Sequence, residues 1–309
     1  MECAIGRNWA GECRRIADEI RKRVLAHSII HGGYLSQACS SAEIFGVLYG
    51  HAMNLGASRG PAVPPPYEGW RENKAERVPG MIYNGGRAPD TDRLFVSPTH
   101  YALVVYAALI AAGRMDDSAL SQFNADGARV EMIGGERSPG HEVNGGSFGQ
   151  AISQAAGVAW ARRHRNDTGK VWVFLGDGEL QEGQTWEAIL SMGFAKLDNM
   201  IVLVDVNGQQ VDGRVEDIMS LEPMADKFNA FGAAVVDVNG HDIEALNAAC
   251  ETPRAGKPLV VLARTVPYRG IPLLEERYPH LHYVRFKSEA ERERYKEALA
   301  KMPGPGGPL

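Results

Sequence analysis

The 309-residue chain is 44% hydrophobic and 23% charged, with 33 basic and 38 acidic side chains and a net charge of −5. This is the composition of a globular protein with a large core, and it excludes a low-complexity or fibrous chain. Such a charge gives no broad basic field, so nucleic acid and anionic membranes are not expected partners. No apolar run is long enough to cross a bilayer, and the N-terminal MECAIGRNWAGECRR has no apolar signal core, so a cytoplasmic protein is expected. Cys3, Cys13, Cys39 and Cys250 are scattered without metal-ligand spacing and read as reduced thiols with no catalytic duty.

In chain order, Glu12 to Ile29 reads as an amphipathic helix, and Ser40 with Glu43 as a capping box opening a second helix through His51. Residues 57–91, rich in Pro, Gly and charge, read as a long excursion. Its aromatic residues Tyr67, Trp70 and Tyr83 either contact a ligand or partner or anchor a packed surface loop. Tyr101 to Ala112 and Ser147 to Arg163 read as helices, the latter with an Ala- and Gly-rich face suited to close packing. Val171 to Leu175, closed by Gly176, reads as a buried strand, followed by a helix over Gln184 to Lys196 and a strand over Met200 to Val206. Ala233 to Val238 and Leu259 to Thr265 are further strands with a helix, Asp242 to Cys250, between them. This alternation predicts an α/β fold, a doubly wound, mainly parallel sheet flanked by helices. The tail from Pro303 to Leu309 is Pro- and Gly-rich and reads as disordered.

The segment from Val171 to Gly213 carries the most chemical information. Asp177 follows a strand directly, at the carboxyl end where open α/β sheets bind ligands, and the crossover returns Asn207 to the same rim. Magnesium prefers six oxygens and takes only a few from protein, with phosphate and water completing the shell. The carboxylate of Asp177, the amide oxygen of Asn207 and the main-chain carbonyl of Gln209 would suit it. Gly176 and Gly178 let the chain turn sharply and bring N–H groups close to phosphate oxygens. A bare GDG is common by chance, but GDG followed about thirty residues later by D-x-N-G-x-x-x-D-G is far more specific.

That string resembles the thiamine diphosphate motif of the transketolase family, in which GDG is followed by EG, EA and D-x-N-x-I-x-I-D-G. Here the equivalents are Gly176-Asp177-Gly178, Glu182-Gly183, Glu187-Ala188 and Asp205 to Gly213, with Gln209 and Gln210 in place of the apolar pair. Asp92 to His100 is similar to DRFVLSKGH, Ser138 to Glu142 to TPGVE, and Gly146-Ser147-Phe148-Gly149-Gln150 to GSLGQG. Gly32 to Ser36 echoes GGSLS, Asn239 to Asp242 matches DGHD, and Ala263 to Val266 matches AKTV. The likeness runs from about residue 12 to residue 290.

The resemblance implies one diphosphate-binding domain over residues 1–302, with an inserted loop at 57–91 and a tail at 303–309. It implies thiamine diphosphate and Mg2+, or another divalent cation, as cofactors, held by Gly176, Asp177, Gly178, Glu179 and Asn207 with Gly146, Ser147 and Phe148. His100 is implied beside the diphosphate and the reacting carbon, and Glu182 as the carboxylate connecting two active sites across a subunit interface. His282, in preference to His280, matches the family's last active-site histidine. Ile30 stands where the family has a substrate-binding histidine and His31 where it has proline, so either His31 substitutes or that sugar contact is lost. Met132 to Arg137 is shorter than the family's GHPE loop and lacks its histidine, which leaves the usual phosphorylated ketoses and aldoses unassured as substrates.

In the family, a second, pyrimidine-binding domain supplies the glutamate that activates the cofactor. The resemblance therefore implies the N-terminal subunit of a split transketolase, inactive without a separate C-terminal subunit and assembled with it as a heterotetramer or, as the alternative, a heterodimer. It would transfer a two-carbon ketol unit between a ketose-type donor and an aldehyde acceptor, both small and sugar-like. Two alternatives stand beside this reading: the alpha subunit of a 2-oxo-acid dehydrogenase, and a non-catalytic diverged subunit.

Overall fold

The computed structural model describes residues 8–67, 69 and 77–303. Helix α1 (Trp9–His31) opens at Asn8, whose side chain accepts from the Gly11 N–H at 2.9 Å. Its Ile16, Ile20 and Val24, four residues apart, are buried and form one face, as the 3.6-residue period requires. A left-handed glycine ends it: Gly32 has φ 72°, and a Cβ there would lie 2.8 Å from the Val284 carbonyl. The next residue, Gly33, forms an isolated antiparallel bridge with Val284.

Helix α2 (Leu35–Val47) starts straight after that turn and runs into a π turn at Leu48–Ala52. Its start corrects the expected capping box, because Ser40 and Glu43 lie inside the helix and are buried. Every residue of α2 is buried, so tertiary packing and not a local cap sets its N-terminus. The described part of 57–91 packs as a loop. Tyr83 is 1% exposed and its hydroxyl donates to the Pro61 carbonyl at 2.9 Å, while the Arg137 guanidinium lies 4.4 Å from the centre of the Tyr67 ring. Trp70 and residues 304–309 of the tail lie outside the described residues.

Strand β1 (Arg93–Val96) leads through a 3-10 turn at Thr99–Tyr101 into helix α3 (Ala102–Ala111). Helix α4 (Gln150–His164), strand β2 (Val171–Gly176), helix α5 (Gly183–Phe194) and strand β3 (Met200–Val206) follow. A two-residue ribbon, β4 (Gln209–Gln210) with β5 (Gly213–Arg214), precedes the short helices α6 (Val215–Met219) and α7 (Met224–Ala230). The chain then forms β6 (Ala234–Asn239), α8 (Ile243–Cys250) and β7 (Leu259–Arg264), and helix α9 (Glu289–Ala300) packs back on α1.

The five-stranded sheet has the order β1-β2-β3-β7-β6 with every pair parallel. Side chains alternate between its faces. Trp172, Phe174, Ile201, Leu203 and Val261 join α1, α2, α3 and α8 in one core, whereas Val173, Leu175, Val202, Val204 and Leu262 join α4, α5 and α7 in the other. All seven residues of β3 are buried, as an uninterrupted apolar run predicts for a central parallel strand. The fold is the expected doubly wound α/β architecture. Among the described residues no helix is long and apolar enough to cross a membrane. Cys13, Cys39 and Cys250 are free and buried, and burial pushes their thiols up to about 11, about 12 and about 12, far from the reactive thiolate.

Candidate cofactor site

The loops after β1, β2 and β3 meet at the carboxyl ends of their strands, where they line a cleft of about 220 Å³. Asp177 opens the 3-10 turn that follows β2 and is 2% exposed. One of its oxygens accepts from the Gly178 N–H at 2.8 Å and the other from the Gly208 N–H at 2.7 Å. Asp205 on β3 is paired in register with Gly176, beside it. Burial, and then the neighbouring Asp205 charge, push the Asp177 carboxyl up to about 8. Among the described residues neither aspartate forms an ion pair with a basic side chain. Two adjacent buried carboxylates without a cation are costly in isolation, and they suit a divalent ion.

Asp205 also orients the next ligand. One carboxylate oxygen accepts from Ser40 Oγ at 2.6 Å, the Tyr101 hydroxyl at 2.9 Å and Asn207 Nδ2 at 3.1 Å, and the other from Thr265 Oγ1 at 2.5 Å. Asn207 Nδ2 also donates to the Tyr101 hydroxyl at 3.2 Å. With its NH2 directed to these acceptors, the Asn207 amide presents Oδ1 on the opposite side, where it accepts from the Gln209 N–H at 2.9 Å and keeps a further lone pair. Gly178 allows the Gln209–Gln210 strand to approach, since a Cβ there would lie 3.2 Å from Gln210 Cβ and 4.0 Å from the Gln209 carbonyl. Asp177, Asn207 and the Gln209 carbonyl therefore fit a magnesium diphosphate whose remaining oxygens come from phosphate and water. No cluster of three or more His, Cys, Asp or Glu suited to a metal occurs among the described residues, and this oxygen set does not require one.

The opposite wall is aromatic. His100 lies in the turn after β1, its ring centre 5.0 Å from His282, 5.2 Å from Tyr34 and 6.1 Å from Phe148. Burial, and then His282, push the His100 imidazole down to about 3, so it is neutral near pH 7. Burial also lowers His282, while Asp212 works in the opposite direction. His282 reaches the cleft because its loop is fastened to α2. Ser36 Oγ donates to the Leu281 carbonyl at 3.0 Å and Gln37 Nε2 to that of His282 at 3.4 Å.

Of the residues singled out in the sequence, Gly176, Asp177, Gly178, Glu179, Glu182, Asn207, Gln209, His100, Phe148 and His282 line the cleft. The structure does not bring His31 there. The Gly32 turn leaves His31 exposed at the end of α1, 4.5 Å from the His27 ring, and sends Tyr34 toward the cleft instead. Gly146 and Ser147 are exposed and outside the lining, the Gly146 N–H donating to the Ser97 carbonyl at 3.3 Å and Ser147 Oγ accepting from Gln150 at 2.9 Å. His280 is also exposed and outside it. Sequence reasoning gave no place in the site to Asp205, Tyr101, Ser40 or Thr265. Asp205 and Thr265 stood inside quoted motifs, but their convergence needs the sheet.

A family model described as the transketolase thiamine diphosphate binding domain matches residues 84–294. The chain belongs to the transketolase family. It is 34% identical over 288 residues to an uncharacterized transketolase family protein of Sinorhizobium fredii, covering 92% of each chain. It is 32% identical over 221 residues to the 6-deoxy-6-sulfo-D-fructose transketolase subunit of a Clostridium species, covering 71% of this chain and 78% of that one. It is 34% identical over 205 residues to an apulose-4-phosphate transketolase subunit of Actinobacillus succinogenes, covering 66% and 74%. Among solved structures, the transketolase of Campylobacter jejuni superposes with a TM-score of 0.67 at 21% identity, over 96% of this chain and 47% of that one. The transketolase of Leishmania mexicana gives 0.66 at 24% identity, over 94% and 47%. This chain thus spans about half the length of those solved transketolases, which establish the fold.

Proposed function

We propose that this chain is the diphosphate- and magnesium-holding subunit of a two-polypeptide transketolase that moves a two-carbon ketol unit from a ketose-type donor to an aldehyde acceptor. The observation that carries the reading is the convergence of Asp177 and Asn207 at adjacent strand ends, with the Asn207 NH2 held by Asp205 so that its amide oxygen is turned away from that carboxylate and is free to meet a cation. When bound, thiamine diphosphate supplies a nucleophilic carbon and an electron sink. Asp177, Asn207 and the Gln209 carbonyl would hold the metal and through it the diphosphate, while the Gly178 N–H, which donates to Asp177 at 2.8 Å, fixes the carboxylate for that task. Neutral His100 and His282 are placed to donate to oxygens of a small sugar-like substrate. Glu182, exposed at the start of α5, is placed to meet a second subunit.

A separate subunit supplying the pyrimidine-side carboxylate is supported by relatives that are themselves named transketolase subunits. We place the assembled enzyme, a heterotetramer, in the cytoplasm. The test is calorimetry of thiamine diphosphate with magnesium on the chain alone and mixed with the product of the adjacent reading frame. Asp177→Ala should weaken magnesium-dependent binding by about 100-fold or more. Unchanged affinity in that variant would remove the site assignment.

A further inference from the structure

Glu179 lies two positions past Asp177 and is 1% exposed. Its Oε1 accepts from Ser97 Oγ at 2.5 Å and from the Gly149 N–H at 2.7 Å. Ser97 follows β1 and leads to His100. Gly149 is the N-cap of α4 and has no side chain with which to cap it, so a carboxylate 30 positions away in sequence serves the helix terminus instead. Gly149 also follows Phe148 directly. The Glu179 main-chain carbonyl accepts from Thr185 Oγ1 at 3.2 Å, which ties the same turn to α5. A single carboxylate oxygen thus joins the loop of His100 and the loop of Phe148 to the turn of Asp177 and Gly178. Its other oxygen, Oε2, is buried without a partner.

We propose, resting on the cofactor reading above, that Glu179 is a positioning residue that fixes His100 and Phe148 as one wall facing the organic ring of the cofactor, and does not itself hold the metal diphosphate. The two walls of the cleft divide this work chemically. The Asp177–Asn207 wall offers oxygens to a cation, whereas the His100–Phe148 wall offers a neutral imidazole and an aromatic face, which suit a flat cationic ring. Glu179 fastens the second wall to the first. Because the clamp uses only Oε1, an amide at this position retains both hydrogen bonds.

The test compares two probes on the full-length chain by calorimetry: magnesium with inorganic pyrophosphate, and magnesium with thiamine diphosphate. Glu179→Ala should leave the pyrophosphate affinity within about twofold and reduce the preference for thiamine diphosphate about 10-fold, as expected for losing an acceptor that holds two buried hydrogen bonds. Glu179→Gln should restore most of that preference. Ser97→Ala, which removes one arm and is the milder change should Glu179→Ala not fold, should reduce it about threefold. A lower melting temperature in these variants with an unchanged preference would show Glu179 to be structural only and overturn the proposal. Loss of both probes in Glu179→Ala or Glu179→Gln would make it a direct ligand and also overturn it. If the unaltered chain binds neither probe even when mixed with the product of the adjacent reading frame, or if Asp177→Ala binds both as well as the unaltered chain does, the cofactor reading itself fails and the clamp with it.

Discussion

Two buried polar clusters meet helix α2, one through Glu43 and the other through Ser40, and are completed in opposite ways. In the first, Arg21, Glu43 and His241 have side chains only 6%, 10% and 7% exposed. Glu43 takes the Arg21 guanidinium and His241 Nδ1, and His241 Nε2 accepts from the Val266 N–H at 2.8 Å. In the second, Asp177 and Asp205 receive only neutral donors, from hydroxyls, an amide and main-chain N–H groups. The first cluster carries its own counter-charge and holds α1, α2 and the segment before α8 together. The second is acid-rich and has no basic partner among the described residues, which suits a cation from outside. Burial of charge does not by itself mark a site; buried charge left without its opposite does.

The largest effect should come from opening the closed cluster. Glu43→Ala strands the Arg21 guanidinium in the interior and should cost about 3–5 kcal/mol in urea unfolding, while folded protein retains its magnesium pyrophosphate affinity. A comparable loss of affinity would erase the distinction between the clusters. In the open cluster, Asp205→Asn places an amide among donors and releases the orientation of Asn207. Magnesium pyrophosphate affinity should fall about 10- to 100-fold, the range for groups that orient a metal ligand, and an unaltered isotherm would show that Asn207 needs no such support.

Acid should discriminate between paired and unpaired groups. His27 and His141 are buried, each with Nε2 unpartnered, and burial pushes both down to about 4. A histidine with a depressed folded value contributes its stability above its unfolded value near 6.5 and loses it as pH falls through about 4. Each ring should therefore cost about 2 kcal/mol by pH 5, and His141→Leu should flatten the decline in urea midpoint between pH 7 and pH 5. A midpoint independent of pH over that range would contradict the burial of both rings. The smallest effect is expected from Ser40→Ala, which removes one of four side-chain donors to Asp205 and should weaken magnesium pyrophosphate about fivefold, or about 1 kcal/mol.

What could be read in the sequence follows from the range of the interactions involved. Met200–Val206 and the strand ending at Gly176 were legible because a fully buried parallel strand is a continuous apolar run. Asp177 and Asn207 were legible because their strands are sequential, so both fall inside one motif. Strand β1 stood in a motif without being recognised as a strand, being short at four residues, and α9 was not anticipated in its charged segment. Ser40 and Glu43 fitted a local capping pattern, yet their partners are Asp205, Arg21 and His241. No local rule can see such contacts. The same holds for His31, whose displacement depends on the left-handed turn at Gly32, and for Glu179, whose partners lie on two other loops.

The bridge between Gly33 and Val284 orders events during synthesis of this protein. The contact between Ser36 and Leu281 that accompanies it spans 245 positions, so most of the chain must leave the ribosome before the His282 wall can close. By then β1, β2 and β3 have emerged, and the metal floor can form on the nascent chain while its aromatic wall is still missing. A polypeptide released before residue 281 would lack the His282 side of the cleft while still carrying Asp177 and Asn207.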